Sequence, residues 1–109
     1  MKLVYAIKFV ADMEEAIAFH RDILGLPLKF QSPFWSEFLT GETTLALHPS
    51  SDAHPPGAVQ LGFKVEDLDA FYARREALGL EFTSPPTDQH GSKIARFLDC
   101  EGAETNISG

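Results

Sequence analysis

Two side chains of the 109-residue sequence have types and settings suited to proton transfer: Glu37, within the apolar run FWSEFL, and His48, at the end of TLALHP. A desolvated carboxylate or an imidazole placed beside a reacting group acts as a general base or acid. Each has a plainer reading beside the catalytic one. Glu37 aligns with Arg96 in a second stretch of similar pattern and is more simply its charge partner, while His48 enters a loop and is more simply solvent-facing. His20 lies near an apolar stripe and reads as a packed histidine. His54 and His90 fall in loops, where mobility is expected and nothing supports a function. Cys100 is the single cysteine, so no internal disulfide forms, and no histidine adjoins it to activate the thiol.

These residues must be held by elements, and the sequence shows the elements twice. FVADMEEAIAFHRDILGL, Phe9 to Leu26, resembles KVEDLDAFYARREALGL, Lys64 to Leu80, and SEFLTGETTLAL resembles ARFLDCEGAETNI, which equates Glu37 with Arg96. In the first copy Leu3 to Val10 alternates as a strand. Asp12 with Glu15 forms a capping box ahead of a helix over Met13 to Leu24, and Gly25 sits where a left-handed cap is wanted. Strands follow near Leu28 to Gln31, Phe34 to Thr40 and Thr43 to His48. The second copy repeats the order with a strand at Val59 to Val65, an N-cap at Asp67 and a helix over Leu68 to Leu78 stopped at Gly79. Its later strands lie near Glu81 to Thr83, Lys93 to Leu98 and Glu104 to Ile107. The prediction is an α+β fold of two tandem βαβββ modules, about 1–50 and 57–109, in a single domain whose mixed sheet curls into a cleft. HPSSDAHPPG reads as the linker, and SPPTDQHGS as a loop interrupting the second module.

The balance of 44% hydrophobic and 23% charged residues is that of a globular chain. A net charge of −7 argues against nucleic acid or an anionic membrane as partner, since both would be repelled. KLVYAIKFV is too short to span a bilayer and lacks a cleavage pattern, so a cytoplasmic location is expected.

The paired βαβββ pattern, the opening VADMEEAIAFHRDILGL and the turn RFLDCEG resemble the vicinal oxygen chelate superfamily, which includes glyoxalases, extradiol dioxygenases and bleomycin-resistance proteins. The resemblance covers nearly the whole chain; it specifies a fold far more than a reaction. It implies a divalent metal bound by His or Gln on the first strand of each module and Glu on the last. Carried over residue by residue, those positions are Tyr5, Ala46, Gln60 and Asn106 here, and the repeat independently equates Tyr5 with Gln60 and Ala46 with Asn106. None is a histidine or a carboxylate, and a divalent cation is therefore not the favoured cofactor. A shift of register would bring His48 toward the ligand position, being two residues beyond Ala46 on the same strand face.

Period-two alternation assigns the rest of the cleft face. Phe34 and Phe38 are expected on the dry side, which turns Trp35, Glu37 and Leu39 the other way; Leu61, Phe63 and Val65 go inward and leave Gln60, Gly62 and Lys64. Tyr5, Phe9, Trp35, Gln60, Lys64, Arg96 and Asn106 are thus the expected ligand-binding set, with Glu37 and His48 as the catalytic candidates. Aromatic surface with amides and cations suits a small molecule with an apolar or aromatic body and a polar or anionic end. The expected function is metal-free small-molecule binding of the bleomycin-resistance kind. The alternative is a glyoxalase-like lyase or isomerase, or a dioxygenase-type enzyme, metal-independent or with displaced ligands. A symmetric homodimer is expected, because an open apolar sheet face is costly to leave wet.

Overall fold

The computed structural model describes residues 1–109 and divides them into two compact units, Val4–Val59 and Gln60–Gly109, the latter with Met1–Leu3. In the first, strand β1 (Lys2–Val10) leads to Asp12, whose carboxylate accepts from the Glu15 amide at 3.0 Å and starts α1 (Met13–Ala18). The helix does not run on to Leu24 as an α-helix. Phe19–Ile23 form a π-helical turn, with the Leu24 amide donating to the Phe19 carbonyl at 3.1 Å. The wider turn brings His20 into the core, buried against Phe38 with its Nδ1–H donating to the Ala16 carbonyl at 2.7 Å. Strands β2 (Leu28–Phe30), β3 (Ser36–Leu39) and β4 (Thr44–Pro49) complete the unit in hydrogen-bonded order β2-β3-β4-β1, with β1 and β4 parallel. Ile17, Phe38 and Leu47 form its core, packed by Val10, Met13 and Leu28.

The second unit repeats this order as β5-β8-β7-β6, from β5 (Val59–Lys64), β6 (Phe82–Gln89), β7 (Ser92–Leu98) and β8 (Glu104–Ser108), with β5 and β8 parallel. Its helix is broken in two, α2 (Leu68–Ala73) and α3 (Arg75–Leu78), at Arg74, whose φ of −91° and ψ of 4° leave the α region. Asp67 caps α2 by accepting from the Ala70 amide at 3.0 Å, and Gly79 closes α3 in the left-handed region. Leu68, Ala95, Phe97 and Ile107 form the core, with Phe63, Phe71 and Phe82 against it. The architecture is α+β with mixed sheets.

Four local expectations are corrected. SPPTDQHGS is not a loop: Ser84 to Gln89 extend β6, and His90 with Gly91 make the hairpin turn, both at positive φ. Pro85 and Pro86 sit at a register shift of this edge strand, where a missing N–H costs no ladder bond. Phe34 is not on the dry side but 76% exposed. The Ser32 hydroxyl accepts from the amides of Phe34 and Trp35 and donates to the Trp35 carbonyl, tying Ser32–Trp35 into a turn, so β3 starts only at Ser36. Leu61 does not go inward but is 42% exposed, since Phe63 and Val65 already fill that side of the core. The expected linker is docked rather than loose. Ser50 donates to the Val10 carbonyl at 2.8 Å, Gly57 to the Phe9 carbonyl at 2.8 Å, and Phe9 to the Ala58 carbonyl at 2.9 Å.

Candidate functional site

In the first unit the strand register assembles one side-chain face. Ile7 lies opposite Ala46 on β4, and Ala46 in turn opposite Glu37 on β3, so these three cross the sheet in a row. Tyr5 and Phe9 flank Ile7 on the same side of β1, and Phe9 lies opposite His48. Ile7, Phe9 and Ala46 are buried together, with Tyr5, Trp35 and Ala58 packed on them. Rings form a continuous series that ends on Phe9 of that floor. Tyr5 and Trp35 meet edge to face at 5.7 Å, Trp35 and His48 at 6.3 Å, and His48 and Phe9 at 5.3 Å; His54 stacks on Phe9 at 4.3 Å with the planes 10° apart. The three edge-to-face contacts place the positive edge of one ring against the negative face of the next.

Glu37 is tied into this series. Its Oε2 accepts from the Trp35 indole N–H at 2.7 Å and from the Tyr5 hydroxyl at a longer 3.5 Å, while Lys29 Nζ stands 3.6 Å from Oε1. Within its own unit the carboxylate has a charge partner in Lys29, one strand away on β2. With a side chain only 14% exposed, the carboxylate is well shielded. Burial, and then the Glu37 charge and hydrogen bond, push the Tyr5 hydroxyl above its ordinary pKa, so the phenol stays protonated at neutral pH. His48 is exposed, and its Nδ1–H donates to the Pro49 carbonyl at 2.8 Å, which leaves Nε2 of the neutral ring as an acceptor.

In the second unit the corresponding face is polar. Gln60 is buried, its amide donating to Glu104 at 3.3 Å, and Thr83 donates to the other Glu104 oxygen at 3.1 Å. Asn106 lies opposite Gly62 on one side and Arg96 on the other. Lys64 follows Gly62 on the same side of β5, and both cations are exposed. Cys100 is exposed in the turn held by Asp99, and His90 occupies the β6–β7 hairpin.

The structure thus gathers Tyr5, Phe9, Trp35, Glu37 and His48 in one unit, and Gln60, Lys64, Arg96 and Asn106 in the other. Sequence reading missed Lys29, His54 and Glu104. Glu104 was within reach, since it precedes Asn106 by two residues and shares its face. His54 carries no periodic signal, because a loop docks it. No group of three or more His, Cys, Asp or Glu side chains is clustered as a metal would require.

Comparison with known proteins places this arrangement. A Bacillus subtilis (strain 168) protein, the uncharacterised YraH, is 27% identical over 91% of each chain. Among solved structures, methylmalonyl-CoA epimerase from Mycobacterium tuberculosis superposes with a TM-score of 0.78 at 21% identity, covering 97% of this chain and 85% of its own. A hypothetical protein from Bacillus halodurans C-125, BH1468, gives 0.80 at 13% identity, covering 98% and 92%. At these identities the structures establish likeness of fold. The sequence profile of the Glyoxalase/Bleomycin resistance protein/Dioxygenase superfamily matches residues 2–107, and the chain belongs to that superfamily.

Proposed function

We propose that the protein binds a small organic molecule without a metal, taking its apolar or aromatic body on the rings of the first module. The observation that carries this reading is the edge-to-face series Tyr5–Trp35–His48, laid over the buried floor of Ile7, Phe9 and Ala46. Ring surface of this kind offers large contact area at small cost in rotamer freedom. Taken by itself, the second module offers a setting suited to a polar or anionic group: Asn106 supplies both a donor and an acceptor between Arg96 and Gly62, with Lys64 two residues on from Gly62.

The divalent cation that the superfamily implies does not fit the residues at its positions. Ala46 has no donor atom and is fully buried, the Tyr5 phenol is held protonated and turned onto Glu37, and the Gln60 amide is engaged by Glu104. Glu37 and His48 remain the groups for a proton-transfer alternative. The binding reading is preferred because the Glu37 oxygen nearest the rings already accepts two hydrogen bonds. A symmetric homodimer and a cytoplasmic location belong to the same proposal. Exposed Ile23, Leu24, Phe30 and Phe34 on the first module favour self-association, and no helix is long and apolar enough to cross a membrane. Light scattering at micromolar concentration tests the dimer, and a monomer would contradict it.

The binding reading is tested by a thermal-shift screen of metabolites, because a ligand of the native state raises apparent stability by mass action. Hits are followed through the emission of Trp35, the only tryptophan. Aromatic acids, amides and alcohols that raise the melting temperature and shift this emission support the proposal. A screen in which only metal salts stabilise the protein would overturn it.

A further inference from the structure

We propose that Glu37 is a positioning residue, which pre-sets the ring surface of the first module by pinning the Trp35 indole to one carboxylate oxygen beside the Tyr5 phenol. The functional meaning rests on the binding reading above, while the geometry stands independently of it. Trp35 lies just outside β3 and would otherwise be free to reorient. Its backbone is held from one side, where the Ser32 hydroxyl accepts from the Trp35 amide at 3.0 Å and donates to its carbonyl at 2.8 Å. From the other side the indole N–H reaches Glu37 Oε2 at 2.7 Å, a short hydrogen bond. Two clamps on one residue leave its side chain little freedom.

Glu37 can act this way because of what faces it. Ala46, directly opposite in register, is small and buried, and leaves room above it for the carboxylate and the indole. The Tyr5 hydroxyl approaches the same Oε2 at 3.5 Å, a long contact, and its ring meets the indole at 71°. Lys29 at 3.6 Å from Oε1 balances the charge. A general base needs a lone pair turned toward the substrate, whereas the oxygen nearest the rings is here occupied with holding the indole. Fixing the indole before a ligand arrives lowers the ordering cost of binding. What matters is therefore the reach of the Glu37 oxygen rather than its charge, and this separates positioning from a merely electrostatic or packing role.

The test uses the 15N-labelled full chain, in which Trp35 gives the one indole N–H resonance, and compares Glu37→Gln with Glu37→Asp. Glutamine keeps the reach and loses the charge; aspartate keeps the charge and loses the reach. Solvent exchange of the indole N–H should stay within about twofold of the parent in Glu37→Gln and quicken by about tenfold or more in Glu37→Asp, the scale set by losing one hydrogen bond. Melting curves on both variants verify the fold. Benzyl alcohol, titrated while the same resonance is followed, should bind Glu37→Gln like the parent and Glu37→Asp at least about threefold more weakly. Exchange in Glu37→Asp as slow as in the parent, or in Glu37→Gln as fast as in Glu37→Asp, overturns the proposal. Failure of benzyl alcohol to perturb the resonance in any of the three proteins would instead count against ring-face binding, with the exchange rates still deciding the role of Glu37.

Discussion

The two modules share a strand order and an aspartate-capped helix, yet they present opposite chemistry at matching positions. Where the first has Tyr5, Ala46 and Glu37, the second has Gln60, Asn106 and Arg96. The first builds an aromatic face over an apolar floor and confines one carboxylate beneath it. The second builds a polar face of amides and exposed cations around Glu104. The lesson is that the two units place the same residue type inward where the sheet is made, Phe38 and Phe97, while the residues on the other face differ in chemistry.

If the cores are equivalent, truncating either should be costly. Phe38→Ala and Ile107→Ala, both at fully buried sites, should each destabilise by about 2–5 kcal/mol in urea unfolding, the range for large-to-small core changes. A loss below about 1 kcal/mol at one site only would show that the modules do not carry equal shares of the stability. The outward residues should behave differently. Asn106→Leu should weaken the ligand found in the thermal screen about tenfold, close to 1.4 kcal/mol, and leave the melting temperature nearly unchanged. Unchanged affinity with a lowered melting temperature would make Asn106 structural. The caps offer a matched pair of smaller size: Asp12→Ala and Asp67→Ala should each cost about 1 kcal/mol, because each removes the one side-chain acceptor at its helix start.

The Tyr5 environment gives a pH test confined to the first module. In a Tyr72→Phe background, absorbance titration should show Tyr5 ionising above about 10, the ordinary tyrosine value. Because the folded pKa is raised, the stabilisation linked to it is fully present below the unfolded value and is lost as pH rises through the folded one. Glu37→Gln should move the ionisation back toward ordinary while leaving the part due to burial. The smallest effect belongs to the β6–β7 hairpin. His90 is the one non-glycine residue at positive φ, 51°, so His90→Asn should raise stability by a few tenths of a kcal/mol.

Much of the fold was legible because it rests on local rules: two capping aspartates, a left-handed glycine after each helix, and alternation that put Phe38 inside and turned Phe63 and Val65 onto the second core. What escaped was decided by tertiary demands. The end of α1 widens into a π turn around a buried histidine, a serine turn delays β3 and exposes Phe34, and a proline pair that signals a loop instead marks an edge strand. At the site, period two turned Glu37 away from Phe38, while the contact of Trp35 with Tyr5 and Glu37 comes from a turn outside the strand. It could not show that Glu37 would meet Lys29, nor that a loop would bring His54 onto Phe9, since neither contact follows from spacing along one strand.

The central claim is that an organic ligand is held on the aromatic face without a metal. Its most direct test is calorimetric titration of the best compound from the thermal screen into protein stripped with chelator, repeated after adding nickel, zinc, manganese or iron. The account predicts one binding event per chain with the same affinity in all these conditions, lost in Trp35→Ala, and no stoichiometric metal site of micromolar affinity. Ligand binding that appears only after metal is restored, with Tyr5, Gln60 and Asn106 required for the metal, would contradict it.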